Sequence, residues 1–107
     1  MANIQEITTA EFQAEVLDSD IPVIVDFSAV WCQPCKRLEP IVDELAGEWA
    51  GKVKFVKVDV DTNPEIGGQF GVMGVPTLLM IKGGEAKDRL VGLQNKQKIV
   101  GTFSPHF

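Results

Sequence analysis

Cysteine and histidine are scarce in this chain: 107 residues carry two cysteines and a single histidine, His106, next to the C-terminus. Two cysteines are too few for the wide disulfide framework of a small secreted scaffold. A structural zinc site needs four ligands, and one cysteine pair supplies two. Only a site shared across a dimer could gather four thiolates for zinc or an iron–sulfur cluster. Basic residues are also in deficit. The formal net charge is −5, so there is no electrostatic footprint for nucleic acid. Apolar runs are far shorter than a membrane span requires. Met1 to Glu6 has no basic n-region and no apolar h-region, which points to a cytoplasmic protein without a leader. There is no internal repeat, low-complexity tract or flexible linker. With 45% hydrophobic and 23% charged residues, the composition is that of a soluble globular protein, and the length fits one domain over residues 1–107.

The two cysteines that are present lie three positions apart, in Trp31-Cys32-Gln33-Pro34-Cys35. An apolar, β-branched run over residues 22–28 leads into them and reads as a strand buried on both faces. An amphipathic pattern of Leu38, Ile41, Val42, Leu45 and Trp49 leads out as a helix, with Pro40 set to kink it. Thiols at i and i+3 in a first helical turn are close enough to join and still part. A ring this short removes little chain entropy, so it is a poor staple and better suited to switching.

Elsewhere, Thr8-Thr9-Ala10-Glu11 reads as a capping box opening a helix with Phe12, Val16 and Leu17 on one face. Residues 53–58 form a second strand. With the helix between them, the two strands make a βαβ unit and lie parallel. A short helix is expected over 64–70. Thr77 to Ile81 and Ala86 to Val91 flank a Gly83-Gly84 turn and read as a hairpin. A last helix from about Asn95 to Phe103 would bury Ile99, Val100 and Phe103. Gly101 costs it roughly 1 kcal/mol relative to alanine. This order gives an α/β fold, a central mixed β-sheet flanked by helices on both faces.

Cys32 falls where strand gives way to helix. The unpaired N–H groups and positive dipole end gathered there favour thiolate over thiol. Cys32 is therefore the exposed attacker, and Cys35, one turn in, the covered resolver. Pro34 suits the first turn. The same two cysteines could otherwise be small buried hydrophobes. Asp26, alone among Val23, Ile24, Val25 and Phe27, would be pushed toward its neutral form by burial, or else faces solvent at a strand end. Lys57 interrupts an apolar strand that should lie beside the Asp26 strand, and by itself reads as a snorkelling surface lysine.

The chain resembles the thioredoxin family over nearly its whole length. The matching pieces are Val25-Asp26-Phe27, Ala29, Trp31-Cys32, Pro34-Cys35-Lys36 and Pro40, then Lys57, Asp61, Gly74-Val75-Pro76-Thr77, Gly84 and Gly92. The resemblance implies the thioredoxin fold and a protein-disulfide reductase that needs no cofactor of its own. Its partners would be protein disulfides, with a thioredoxin reductase as electron donor, and it would act as a monomer. Cys32 and Cys35 would be the catalytic pair. Asp26 would be the buried acid beneath them and Lys57 the partner that tunes it. Pro76 stands where the family has its cis-proline. Trp31, Gln33, Pro34, Met73, Gly74, Val75, Pro76, Val91, Gly92 and Leu93 would rim a largely apolar docking surface, while Trp49 would be packing. Two features depart from the pattern. Gln33 replaces the usual glycine, and the ending Gly101-Thr102-Phe103-Ser104-Pro105-His106-Phe107 limits the last helix and is expected to fray. Three other readings stay open: an oxidase or isomerase of secreted proteins, a dimeric metal- or cluster-binding module, and a non-catalytic partner subunit.

Overall fold

The computed structural model describes residues 4–107. Residues 1–3, the start of the stretch read for a leader, lie outside it. A five-stranded mixed sheet organises the chain, with strand order β1-β3-β2-β4-β5. The strands are β1 (Gln5–Glu6), β2 (Val23–Ser28), β3 (Lys54–Asp59), β4 (Thr77–Lys82) and β5 (Glu85–Val91). β1, β3 and β2 run parallel, whereas β4 and β5 are antiparallel additions joined by the predicted hairpin. Gly83 and Gly84 take φ of +60° and +79° there, a region open to glycine at no steric cost.

β2 lies third of five, hydrogen-bonded on both edges, and all six of its residues are buried. That is why its sequence reads as a continuous apolar run and not as an alternation. Alternate residues nonetheless serve different layers. Ile24 joins Phe55, Leu78 and Met80 against Leu38, Val42 and Leu45 of α2 (Gln33–Glu48) and Ile99 and Phe103 of α4 (Lys96–Phe103). Val23, Val25 and Phe27 join Val56, Val58, Leu79 and Ile81 on the opposite face, against Phe12 of α1 (Thr9–Phe12), Val16, and Ile66 of α3 (Pro64–Gln69). Helices cover both faces of the sheet. By strand alternation Asp26 points to the same side as Ile24, toward the α2 layer.

Several local expectations are altered. β1 is a strand the sequence reading did not contain. Glu11 reaches back to Thr8, accepting from its N–H and its hydroxyl at 3.0 Å each, but α1 then widens into a π-helical turn over Gln13–Leu17. Leu17 and Val100 are half-buried, not core. The helix expected after the cysteines is present, with Pro40 inside α2. The C-terminal segment is tied down. After α4 a 3-10 turn over Ser104–His106 carries Phe107 to Trp49, where the rings meet edge-on at 4.7 Å. His106 Nε2 lies 3.2 Å from Asp88 Oδ2. No helix among the described residues is long and apolar enough to cross a membrane.

Candidate active site

Cys32 and Cys35 are joined as a disulfide that closes the first turn of α2, with Cα atoms 5.3 Å apart. The turn forms here because β2 ends at Ser28 and Cys32 takes extended backbone at the N-cap, its side chain standing where a serine or aspartate cap would. Its Sγ accepts the Cys35 N–H at 3.2 Å. Pro34, in the first turn, has no N–H of its own to satisfy.

The expected difference in exposure between the two cysteines is not found. In the disulfide form Cys32 is 3% exposed and Cys35 2%. Ala29 is buried with them, and Val60 and Val75 pack against the group from two other loops. The asymmetry that does exist is one of hydrogen bonding. Cys32 sulfur receives a backbone donor at the helix start, and no such donor meets Cys35 sulfur among the described residues.

Trp31 is 64% exposed and Met73 97%. Gln33, Pro34, Gly74, Val91 and Leu93 are exposed, while Val75 and Gly92 are half-covered. Pro76 is buried, its peptide bond with Val75 is cis, and its carbonyl accepts the Gly92 N–H at 2.8 Å. That bond ties the loop after β5 to the loop before β4. Gly74 is held in turn by the Thr77 hydroxyl, which donates to its carbonyl at 2.7 Å. A cleft of about 280 Å³ opens beside the disulfide, lined by Trp31, Val60, Val72, Met73, Gly74 and Val75 among others. Val60 and Val72 were not anticipated. They sit in loops after β3 and α3, where single apolar residues carry no periodic signal.

Asp26 is 2% exposed, and its Oδ1 has no hydrogen-bond partner among the described residues. Burial in this apolar layer pushes its carboxyl from 3.8 up to about 7, against the pull of the Lys57 ammonium and with a further push from the Glu39 carboxylate. Lys57 is the register partner of Asp26 on β3. It is not hydrogen-bonded to Asp26, however: its Nζ donates to Glu39 Oε1 at 3.0 Å, from the neighbouring α2. Glu39 was missed in the sequence, where it reads as one more charge on the wet side of a helix. The usable signal is its spacing, four residues after Cys35, which puts both on one face of α2.

A covalent pair of cysteines at a strand–helix junction, with a buried acid in the same layer and an apolar rim, defines a protein-disulfide oxidoreductase working by dithiol–disulfide exchange. Comparison with known proteins agrees. A family model described as Thioredoxin matches residues 3–104. Thioredoxin 1 of Nostoc sp. is 44% identical over 106 residues, covering 99% of each chain. The thioredoxin of Rickettsia felis is 48% identical over 100 residues, 94% of this chain and 93% of its own. That of Haemophilus influenzae is 45% identical over 106 residues, again 99% of each. The chain belongs to the thioredoxin family.

Proposed function

We propose that the chain is a general protein-disulfide reductase in which Cys32 attacks and Cys35 resolves. The observation that carries this division is the Cys35 N–H aimed at Cys32 Sγ at 3.2 Å. Once the disulfide opens, the same donor and the start of α2 stabilise negative charge on Cys32. The Cys32 thiolate attacks one sulfur of a substrate disulfide, forming a mixed disulfide and expelling the other sulfur as thiolate. Cys35 then gives its proton to Asp26 and attacks Cys32 sulfur. The Cys32–Cys35 bond forms, the second substrate thiolate leaves, and two electrons have passed from protein to substrate. Asp26 suits the proton transfer because a base near neutrality accepts and returns protons readily. Lys57 lowers the cost of its charged form.

The rim supports substrates recognised by backbone and apolar contact. Trp31, Gln33, Pro34, Gly74, Val75, Pro76, Gly92 and Leu93 would seat an extended segment around the disulfide. Family membership supports a thioredoxin reductase as the source of electrons. The same reading has the chain acting in the cytoplasm as a monomer, residues 1–107 forming one domain.

Trapping tests the assignment. Cys35→Ser should accumulate mixed disulfides through Cys32, and Cys32→Ser should abolish turnover of insulin-type disulfides with dithiothreitol. Normal turnover in the Cys32 variant would sink the reading. A potential well above the cytosolic glutathione poise would favour an oxidase instead.

A further inference from the structure

Three ionisable side chains occupy one layer between β2, β3 and α2, and only two of them are bonded to each other. Asp26 on β2 stands in register with Lys57 on β3. On its other edge its register partner is Leu78 of β4, which brings no charge. From α2, Glu39 acts on the Asp26 carboxyl; on the same helix face Cys35 lies one turn before Glu39 and the half-buried Asp43 one turn after it. The Lys57 ammonium is committed to the Glu39 carboxylate at 3.0 Å, and both side chains keep partial contact with solvent. The Asp26 carboxyl is sealed, with Oδ1 unpartnered. An ammonium free of Glu39 would stand beside the Asp26 carboxyl, its register partner on the neighbouring strand.

We propose that Glu39 is a positioning residue for the exchange reaction: by pairing with Lys57 it limits the positive charge felt by Asp26, and so sets how strongly Asp26 draws the proton from Cys35. This rests on Asp26 being the proton acceptor. Glu39 acts twice in the same direction. Its own negative charge disfavours a second carboxylate nearby, and its hold on Lys57 withdraws the cation that would favour one. The push that Glu39 exerts on the Asp26 carboxyl is in keeping with this.

The test is a cycle of variants read at Asp26 itself. Glu39→Gln keeps the size of the side chain but removes its charge, and with it the ion pair that commits Lys57 to α2. In oxidised protein, the titration of the Asp26 carboxyl carbon followed by NMR should move to lower pH by about one pH unit. Glu39→Asp should hold the parent midpoint more closely. With Lys57→Met in the background, the effect of Glu39→Gln should shrink by about half or more, because the route through the cation is gone. The resolving step is read separately. Reduced protein is mixed with dithiobis(nitrobenzoate), and the second release of coloured thiolate reports Cys35 attacking the Cys32 adduct. In Glu39→Gln its pH profile should follow the Asp26 midpoint downward, with a plateau about threefold slower because the base is weaker.

An Asp26 midpoint that stays put or rises in Glu39→Gln overturns the proposal. So does an undiminished shift when Lys57 is methionine. Asp26→Asn separates this from failure of the underlying reading. If that variant resolves the adduct at the parental rate and pH profile, Asp26 is not the proton acceptor, whatever Glu39 does to its titration.

Discussion

The indole N–H of Trp31 donates to Asp61 Oδ2 at 2.8 Å. Asp61 is itself fixed, since its N–H donates to Asp59 Oδ1 at 2.8 Å, in the turn that ends β3. A large exposed ring beside the disulfide is thus anchored to the sheet through two carboxylates. An anchored ring loses less conformational freedom when a substrate covers it.

Asp61→Ala should therefore raise KM for a protein disulfide while leaving kcat nearly unchanged. A hydrogen bond to a charged group contributes about 1.5–3 kcal/mol, and the low end, suited to this exposed pair, corresponds to roughly tenfold in KM. Steady-state kinetics with a protein substrate at constant dithiothreitol would check it. An unchanged KM would show that the ring is held by its packing alone.

Asp26 makes the stability of the oxidised protein depend on pH. Its folded pKa, about 7, lies above the unfolded value near 3.8. Between those limits the folded state keeps a proton that the unfolded state has lost, so stability falls as pH rises through this window and levels off above it. Asp26→Asn should remove the loss. The variant should be more stable than its parent near pH 8 by up to about 4 kcal/mol, with the difference vanishing near pH 4. Urea unfolding at the two pH values measures this, and an equal difference at both would disprove it.

Gly101 lies exposed within α4 without a positive φ, and a Cβ built there meets nothing within 4 Å. Gly101→Ala should stabilise the chain by about 0.5–1 kcal/mol, mostly by restricting the unfolded state. Chemical denaturation is the check, and a destabilised variant would mean that α4 needs freedom at this point.

Phe107 packs edge-on against Trp49, which also stacks on Phe55 at 6.0 Å. Phe107→Ala should cost about 0.5–1.5 kcal/mol, visible as a lower Tm, with no change in disulfide exchange rate. A Tm equal to the parent's would restore the expectation of a frayed end.

Legibility in the sequence followed the length and regularity of the signals. The six residues of β2, the helical spacing of α2 and the Gly83-Gly84 hairpin were all readable, because each signal is carried by residues close together in the chain: an unbroken apolar run, a helical repeat and a glycine turn between two strand-like runs. β1 was not. Gln5 and Glu6 are polar and exposed, and they form a strand only because β3 offers an edge to pair with. The end of the chain misled for a related reason. Gly101 and Pro105 are local signals against helix, whereas the Phe107–Trp49 contact spans more than half the chain and has no local trace. At the site, residue types placed Cys32, Cys35 and Asp26. They could not place Glu39, whose importance depends on where the Lys57 side chain turns. Nor could they show that Cys32 is as covered as Cys35, because that cover comes from Val60 and Val75, remote in sequence.

The disulfide closes within one helical turn, and its opening is linked to the unfolding of the whole chain by a thermodynamic cycle. The oxidised and reduced forms unfold to chains that differ only in this small ring. Any difference between their unfolding free energies is therefore the bias that the fold imposes on the couple. For two electrons, about 1.4 kcal/mol of such a difference corresponds to about 30 mV. Residues that never touch sulfur, in β2 or beneath α2, are consequently felt as voltage whenever they favour one form over the other. Melting each variant twice, once oxidised and once reduced, would chart how the fold distributes that voltage.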